Sequence, residues 1–186
     1  MAVQGPIVIT GASSGIGAAC AQYLDALGFT VWAGVRSTQD GEALTRLTSS
    51  RLRVLMLDVT DPASIEAARK TLAEATRDTG LAGLVNNAGI SVAGPLELLP
   101  LSEVRTQFEV NVIGVLAVTQ ALLPLLRLGR GRIVNISSIA GLAATPFLGA
   151  YCSSKFALEA MSDALRLELA PWGISVSLVE PGAIQS

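Results

Sequence analysis

Six apolar runs of strand length, with a helical pattern in every gap between them, constrain this chain more than any other feature. The runs cover 5–10, 30–35, 52–57, 83–86, 132–137 and 174–179. They are nearly continuous rather than alternating, as in strands buried on both faces. The helical patterns cover 16–27, 41–50, 61–78, 102–126 and 150–170. The first places Ile16, Cys20, Tyr23, Leu24 and Leu27 on one face, and Gly28 stops it. Asp61 and Pro62 are an N-cap and first-turn proline. Gly80 ends that helix, Ser102 is the expected cap of the next, and Pro171 with Gly173 closes the last. Such a succession predicts an α/β fold with a parallel sheet covered by helices. Right-handed crossovers favour a doubly wound sheet of strand order 3-2-1-4-5-6, in one domain spanning 1–186.

Composition removes several classes of function. With 51% hydrophobic and 15% charged residues the chain is not disordered, and its 18 glycines follow no triplet period. A chain of 186 residues buries roughly 70% of its unfolded surface, so no disulfide or metal is needed for stability. Net charge is −2 and the 13 basic residues are scattered, so no nucleic-acid partner is expected. The absence of histidine excludes Ser-His-Asp chemistry and His-ligated metals. Cys20 and Cys152 lack CxxC spacing and read as buried apolar residues. No metal site is expected. No signal-peptide pattern opens the chain. The uncharged span 110–126 contains Asn111, Thr119, Gln120 and Pro124 and falls short of the ~20 residues that cross a bilayer. It reads as a buried helix, and the expectation is a cytoplasmic protein without a transmembrane segment.

The first strand runs into Thr10-Gly11-Ala12-Ser13-Ser14-Gly15-Ile16-Gly17. Glycines there let the backbone approach a pyrophosphate, and the following helix offers free N–H groups and a positive dipole end. The spacing is GxxxGxG, distinct from GxGxxG and from a P-loop, which needs Lys-Ser/Thr after its last glycine. An acid at the end of the second strand would bind an adenosine ribose, whereas an arginine pairs with a 2′-phosphate. Val35-Arg36 stands there, which favours NADP(H) and leaves NAD(H) possible; otherwise Arg36 is a surface arginine. Ser13, Ser37 and Thr38 are further hydroxyl donors. Asp58, after the third strand, is placed to cap an adenine amino group or to lead into the next helix.

Tyr151 and Lys155, four apart on a predicted helix, share a face. An ammonium beside a phenol favours the phenolate, which suits a general acid/base; the alternative is a surface pair. Asn135-Ile-Ser-Ser138 ends the fifth strand, where open α/β sheets place their ligands, and Ser138 could bond a substrate oxygen. Asn111 lies within a long apolar helix, either as a bonded kink residue or as a water site.

Taken in order, Thr10-Gly-xxx-Gly-x-Gly17, Asn86-Asn-Ala-Gly89, Asn111, Ser138, Tyr151-xxx-Lys155 and Pro181-Gly182 resemble the short-chain dehydrogenase/reductase family over almost the whole chain. The resemblance implies a Rossmann-like oxidoreductase that transfers a hydride between a nicotinamide cofactor and an alcohol or carbonyl. It implies Tyr151 as acid/base, with Lys155 lowering its pKa and holding the nicotinamide ribose. Ser138 would polarise the substrate oxygen, and Asn111 would anchor a water leading protons to Lys155. Gly11, Ser13, Ser14, Gly15, Ile16 and Gly17 would cradle the phosphates. Asp58 and Val59 would bind adenine, and Asn87, Ala88 and Gly89 would line the cofactor. Pro181 and Gly182 would shape the nicotinamide pocket, with the Ile184 backbone on the carboxamide. Val35-Arg36 is similar to the NADP-preferring branch.

The stretches 91–100 and 139–149 would wall a substrate pocket, and Gly94, Pro95, Leu96, Leu142, Phe147 and Leu148 suggest a hydrophobic alcohol or ketone. Family members usually continue for several dozen residues beyond a position like Ser186, which would touch the cofactor amide. The expectation is therefore a sheet without its last strand, a pocket without its lid, and an open apolar edge at the sixth strand. Homo-oligomers in the family commonly form through helices like 102–126 and 150–170. A non-catalytic nucleotide-binding protein is the main alternative, and a nucleotide-sugar dehydratase or epimerase is a third.

Overall fold

A computed structural model describes residues 5–184. Its strands are β1 (Pro6–Ile9), β2 (Thr30–Val35), β3 (Leu52–Met56), β4 (Gly83–Asn86), β5 (Arg132–Ile136) and β6 (Ser175–Val179). They form one parallel sheet in the order β3-β2-β1-β4-β5-β6. Helices α1 (Gly15–Ala26), α2 (Thr38–Thr45), α3 (Pro62–Ala75), α4 (Leu101–Phe108), α5 (Val115–Gly129) and α6 (Gly149–Leu169) fill the crossovers. Ile7 of β1 is registered with Val31 on one side and Gly83 on the other.

Successive strand residues point to opposite faces, and each face has its own core. Val8, Trp32, Leu84 and Ile133 pack with Leu72 of α3, Leu122 of α5 and Leu165 of α6. Ile7, Ile9, Val31 and Val85 pack with Ala21 of α1 and Leu44 of α2. The sheet is thus sandwiched and the strand ends are left free, which puts any ligand at the carboxyl edge.

Several details differ from expectation. The buried stripe of α1 is Gly17, Ala21 and Asp25, one position away from the larger apolar residues, while Tyr23 and Leu27 are exposed. Small residues let α1 lie close to the sheet. Buried Asp25 is satisfied by Ser49, whose N–H and hydroxyl donate at 2.8 and 2.6 Å, and by Arg51. Cys20 is half-buried rather than buried, and partial burial pushes its thiol pKa up. Helix α2 begins at Thr38, three residues early, because the Ser37 hydroxyl accepts from the Asp40 N–H and caps it.

The pattern at 102–126 is longer and less regular than a single α-helix. It starts at Leu101 after an extended Pro100, so Ser102 lies inside the helix and does not cap it. Between α4 and α5 the residues Glu109–Gly114 form a π-helical turn. The rod Leu101–Gly129 is long and apolar enough to cross a membrane by length and composition. In the fold only one side is buried, by Val118, Leu122 and Leu126, whereas Ile113 and Leu128 are about half exposed. Edge strand β6 also departs from a uniformly apolar edge, because Ser175 and Ser177 occupy exposed positions along it.

Candidate active site

The turn after β1 is held open by hydrogen bonds from its neighbours. The Thr10 hydroxyl accepts from the Asn87 and Ala88 N–H groups at 3.0 and 2.9 Å. The Asn87 amide donates back to the Thr10 and Gly11 carbonyls at 3.0 and 2.8 Å. Ala12 N–H donates to Gly34 of β2 at 2.9 Å. Gly11 has φ +63°, and a Cβ there would lie 2.8 Å from the Ala88 Cα. A Cβ on Gly17 would collide with the Gly11 carbonyl and the Asn87 amide. Gly17 is therefore a close-packing residue behind the turn rather than part of the cleft wall. Helix α1 has no side-chain cap and no acid in its first turn. Its N–H groups and positive dipole end face the cleft, which fits an anionic phosphate pair.

A cleft of about 600 Å³ runs along the carboxyl edge of the sheet. Gly11, Ser13, Ser14, Gly15 and Ile16 line it at the glycine turn. Arg36, Asp58, Val59 and Thr60 line the end beneath β2 and β3. Ser37 and Thr38 are engaged in starting α2. The Asp58 carboxylate accepts from the Thr60 N–H and hydroxyl at 2.9 and 2.7 Å. Those bonds, with Arg36 nearby, hold its pKa below the usual carboxylate value, so the group is an anion with one oxygen already committed. Asn87, Ala88 and Gly89 form the middle of the wall. Since the Asn87 amide is spent on the turn, its side chain serves the scaffold.

At the other end the cleft meets Ser138, Tyr151, Lys155, Pro181, Gly182 and Ile184. Tyr151 and Lys155 lie on α6, with the Lys155 Nζ 5.7 Å from the centre of the phenol ring. The Nζ donates to the Ile136 carbonyl at 2.8 Å. Burial pushes the Lys155 pKa down to about 8, against an opposing pull from Glu159. Ser138 starts a 3₁₀ turn, Ile139–Gly141, and its hydroxyl accepts from the Ala140 N–H at 3.1 Å. Ile139 N–H donates to the Pro181 carbonyl at 3.1 Å, which holds the segment after β6 against this turn.

Asn111 sits in the π-helical turn and does not line the cleft. Its amide donates to the Ile90 carbonyl and the Ser154 hydroxyl, and its oxygen accepts from the Ile90 N–H. Ser154 in turn donates to the Tyr151 carbonyl at 2.7 Å. The Asn111 side chain thus braces the loop after β4 against the helix bearing Tyr151, and both of its amide hydrogens are used. Sequence reading missed a second buried network: the Asn86 amide donates to Thr119 and Asn135, and the Asn135 amide to Ser162. Asn86 and Asn135 are register partners on β4 and β5. Only the pairing of the strands reveals that two separate asparagines are one unit. Gln107, also missed, accepts from the Val92 N–H and steadies the first wall loop. The two wall loops meet where Gly94 N–H donates to the Phe147 carbonyl at 2.7 Å. Leu96, Leu142 and Phe147 on these loops are about two-thirds exposed, and none of the three lines the cleft.

A parallel sheet in this strand order, with a glycine turn and a Tyr-Lys helix on one cleft, is a Rossmann-like fold. The chain belongs to the short chain dehydrogenase family, whose sequence profile matches residues 6–186. It is 46% identical over 177 residues to mouse retinol dehydrogenase 5, covering 95% of this chain and 55% of that protein. The chain spans about half the length of the curated relatives it matches. Among solved structures, a short chain dehydrogenase from Burkholderia cenocepacia in complex with NADP superposes with a TM-score of 0.87 and 31% identity. That match covers 97% of this chain and 73% of the other. An NAD+-bound xylitol dehydrogenase superposes with a TM-score of 0.92 and 26% identity, covering 98% and 72%.

Proposed function

We propose that this chain carries the cofactor and proton-transfer machinery of an NADP(H)-dependent oxidoreductase that interconverts a hydrophobic alcohol and its carbonyl. The observation that carries the reading is the shared cleft: Ser138, Tyr151 and Lys155 line the same groove as the glycine turn. Gly11 to Ile16 would hold the pyrophosphate, Arg36 a 2′-phosphate, and Asp58 with Val59 the adenine. Lys155 and the 181–184 segment would hold the nicotinamide end. When bound, the nicotinamide supplies or accepts the hydride.

The remaining chemistry belongs to the protein. In reduction, the Ser138 hydroxyl donates a hydrogen bond to the carbonyl oxygen and orients it. The Tyr151 hydroxyl gives that oxygen its proton, and the Lys155 ammonium stabilises the phenolate left behind. In oxidation the phenolate takes the alcohol proton. Asn111 keeps Tyr151 in place through Ser154. Apolar residues on the wall loops support a hydrophobic substrate, and retinol in the name of the mouse relative agrees with that class. Arg36 supports NADP(H) over NAD(H), and both cofactors occur among the solved neighbours. The exposed apolar residues Ile113 on the rod and Phe156 and Leu167 on α6 support a homo-oligomer, to be checked by sedimentation at micromolar concentration.

The test pairs cofactor titration with Tyr151→Phe. NADPH is expected to bind more tightly than NADH. Tyr151→Phe is expected to lower carbonyl reduction by roughly 10²–10⁴-fold with cofactor affinity retained. Cofactor binding with no turnover of any alcohol or ketone by the unsubstituted protein would favour the non-catalytic reading.

A further inference from the structure

Two buried polar atoms near the reaction end, Glu159 Oε1 and Ser137 Oγ, have no hydrogen-bond partner. Both crowd Gly141. A Cβ built at 141 would lie 3.0 Å from Glu159 Cγ, 3.1 Å from Glu159 Oε1 and 3.0 Å from Ser137 Oγ. Glu159 is therefore lodged in the seam between α6 and the 3₁₀ turn that begins at Ser138. Burying a carboxylate oxygen without a partner is costly, so its retention calls for a compensating charge.

That charge lies on the same helix. Lys155 is four residues before Glu159, and Tyr151 four before Lys155, so the three form one row along α6. Lys155 is itself buried, and its hydrogen bond goes to a neutral group, the Ile136 carbonyl of β5. The π-helical turn contributes the neutral Asn111 amide: a Cβ on Gly89 would lie 3.4 Å from Asn111 Oδ1 and 3.8 Å from Lys155 Nζ. Helix α6 contributes the Tyr151 phenol and Glu159. The Glu159 carboxylate pulls the Lys155 pKa upward, against the larger downward push of burial, without forming a direct ion pair with the ammonium.

We propose that Glu159 is a positioning residue for the Tyr151–Lys155 pair, its carboxylate serving as the counter-charge that keeps Lys155 an ammonium beside the phenol. The inference rests on the catalytic reading above, but its test reads the lysine directly and needs no turnover. The sequence holds two lysines, Lys70 and Lys155, so selective ¹³Cε-lysine labelling yields two signals, assigned with Lys70→Arg.

The Lys155 signal of the cofactor-free protein is expected to titrate near 8. Glu159→Gln keeps the shape and removes the charge, and should shift that midpoint downward. Glu159→Asp, with the charge withdrawn by one methylene, should shift it less. The alkaline limb of the reduction rate should move to lower pH in Glu159→Gln, with NADPH affinity unchanged. A structural role for Glu159 predicts equal loss at every pH and an unmoved lysine midpoint, and that result overturns the proposal. Should Glu159→Gln fail to fold by circular dichroism, Glu159→Asp carries the test, and an unmoved midpoint there has the same force. A lysine midpoint that shifts in a protein without turnover would uphold the charge pairing and sink the catalytic reading instead.

Discussion

The two ends of the cleft are built differently. The glycine-turn end is made of backbone: bare N–H groups, positive φ, and side chains such as Asn87 spent on holding the turn. The Tyr151–Lys155 end is made of side chains brought from β5, the 3₁₀ turn, α6 and the segment after β6. It rests on buried polar contacts at Asn111, Ser154 and Lys155. The first end tolerates little change of volume, whereas the second tolerates little change of charge or hydrogen bonding. A short local motif is enough to specify a backbone cradle, but a proton-transfer site needs groups whose ionisation is set by burial.

The largest test of that contrast is the pH dependence of stability. The folded Lys155 pKa of about 8 lies below its ordinary 10.5. Between those values the unfolded chain binds a proton that the folded chain has lost, so stability rises with pH. The gain is complete above 10.5 and is lost as pH falls through 8. Urea unfolding at pH 7.5 and pH 10 should show most of it, on the order of 2 kcal/mol, relative to Lys155→Met, which lacks this titration. Parallel pH dependences in the two proteins would mean that Lys155 is not held in a charge-disfavouring site.

At the other end, Gly17→Ala should cost about 1–3 kcal/mol, because the new methyl meets the Gly11 carbonyl and Asn87 amide with no room to yield. Its NADPH affinity should fall in parallel, as read by calorimetry. Next in size, Arg36→Leu should weaken NADPH about tenfold by removing a charge-assisted phosphate contact, and leave NADH within about twofold. Equal losses for both cofactors would show Arg36 acting on the scaffold and not on a 2′-phosphate. The smallest effect is expected at Gly182→Ala. Nothing lies within 4 Å of a Cβ there, so stability should change by less than about 0.5 kcal/mol. A large effect at Gly182 would mean that the open end of the cleft is as tightly packed as the glycine turn.

Much of this was readable from residue order. The six strands, their parallel order and the turn at 11–17 follow from apolar runs, glycines and the handedness of crossovers. Tyr151, Lys155 and Ser138 announced themselves by spacing and by their place at strand ends. Other features were hidden. The periodicity of α1 pointed to Tyr23 and Leu27, yet the helix buries Gly17, Ala21 and Asp25, since close approach to the sheet favours small residues. The π-helical turn carries no local signature, and it fixes where Asn111 points.

Sequence by itself determined the chain's family, its sheet and several of the groups that face the cleft, Ser138, Tyr151 and Lys155 among them. Periodicity and glycine spacing act over a few residues, and the chain order carries them directly. Tertiary structure alone decided how those groups are held: that Asn86 meets Asn135, that Asn111 braces Ile90 and Ser154, and that Glu159, one helical turn beyond Lys155, is lodged under Gly141. Burial and through-space charge depend on residues far apart in the chain, and they exist only once the sheet and helices have closed around them.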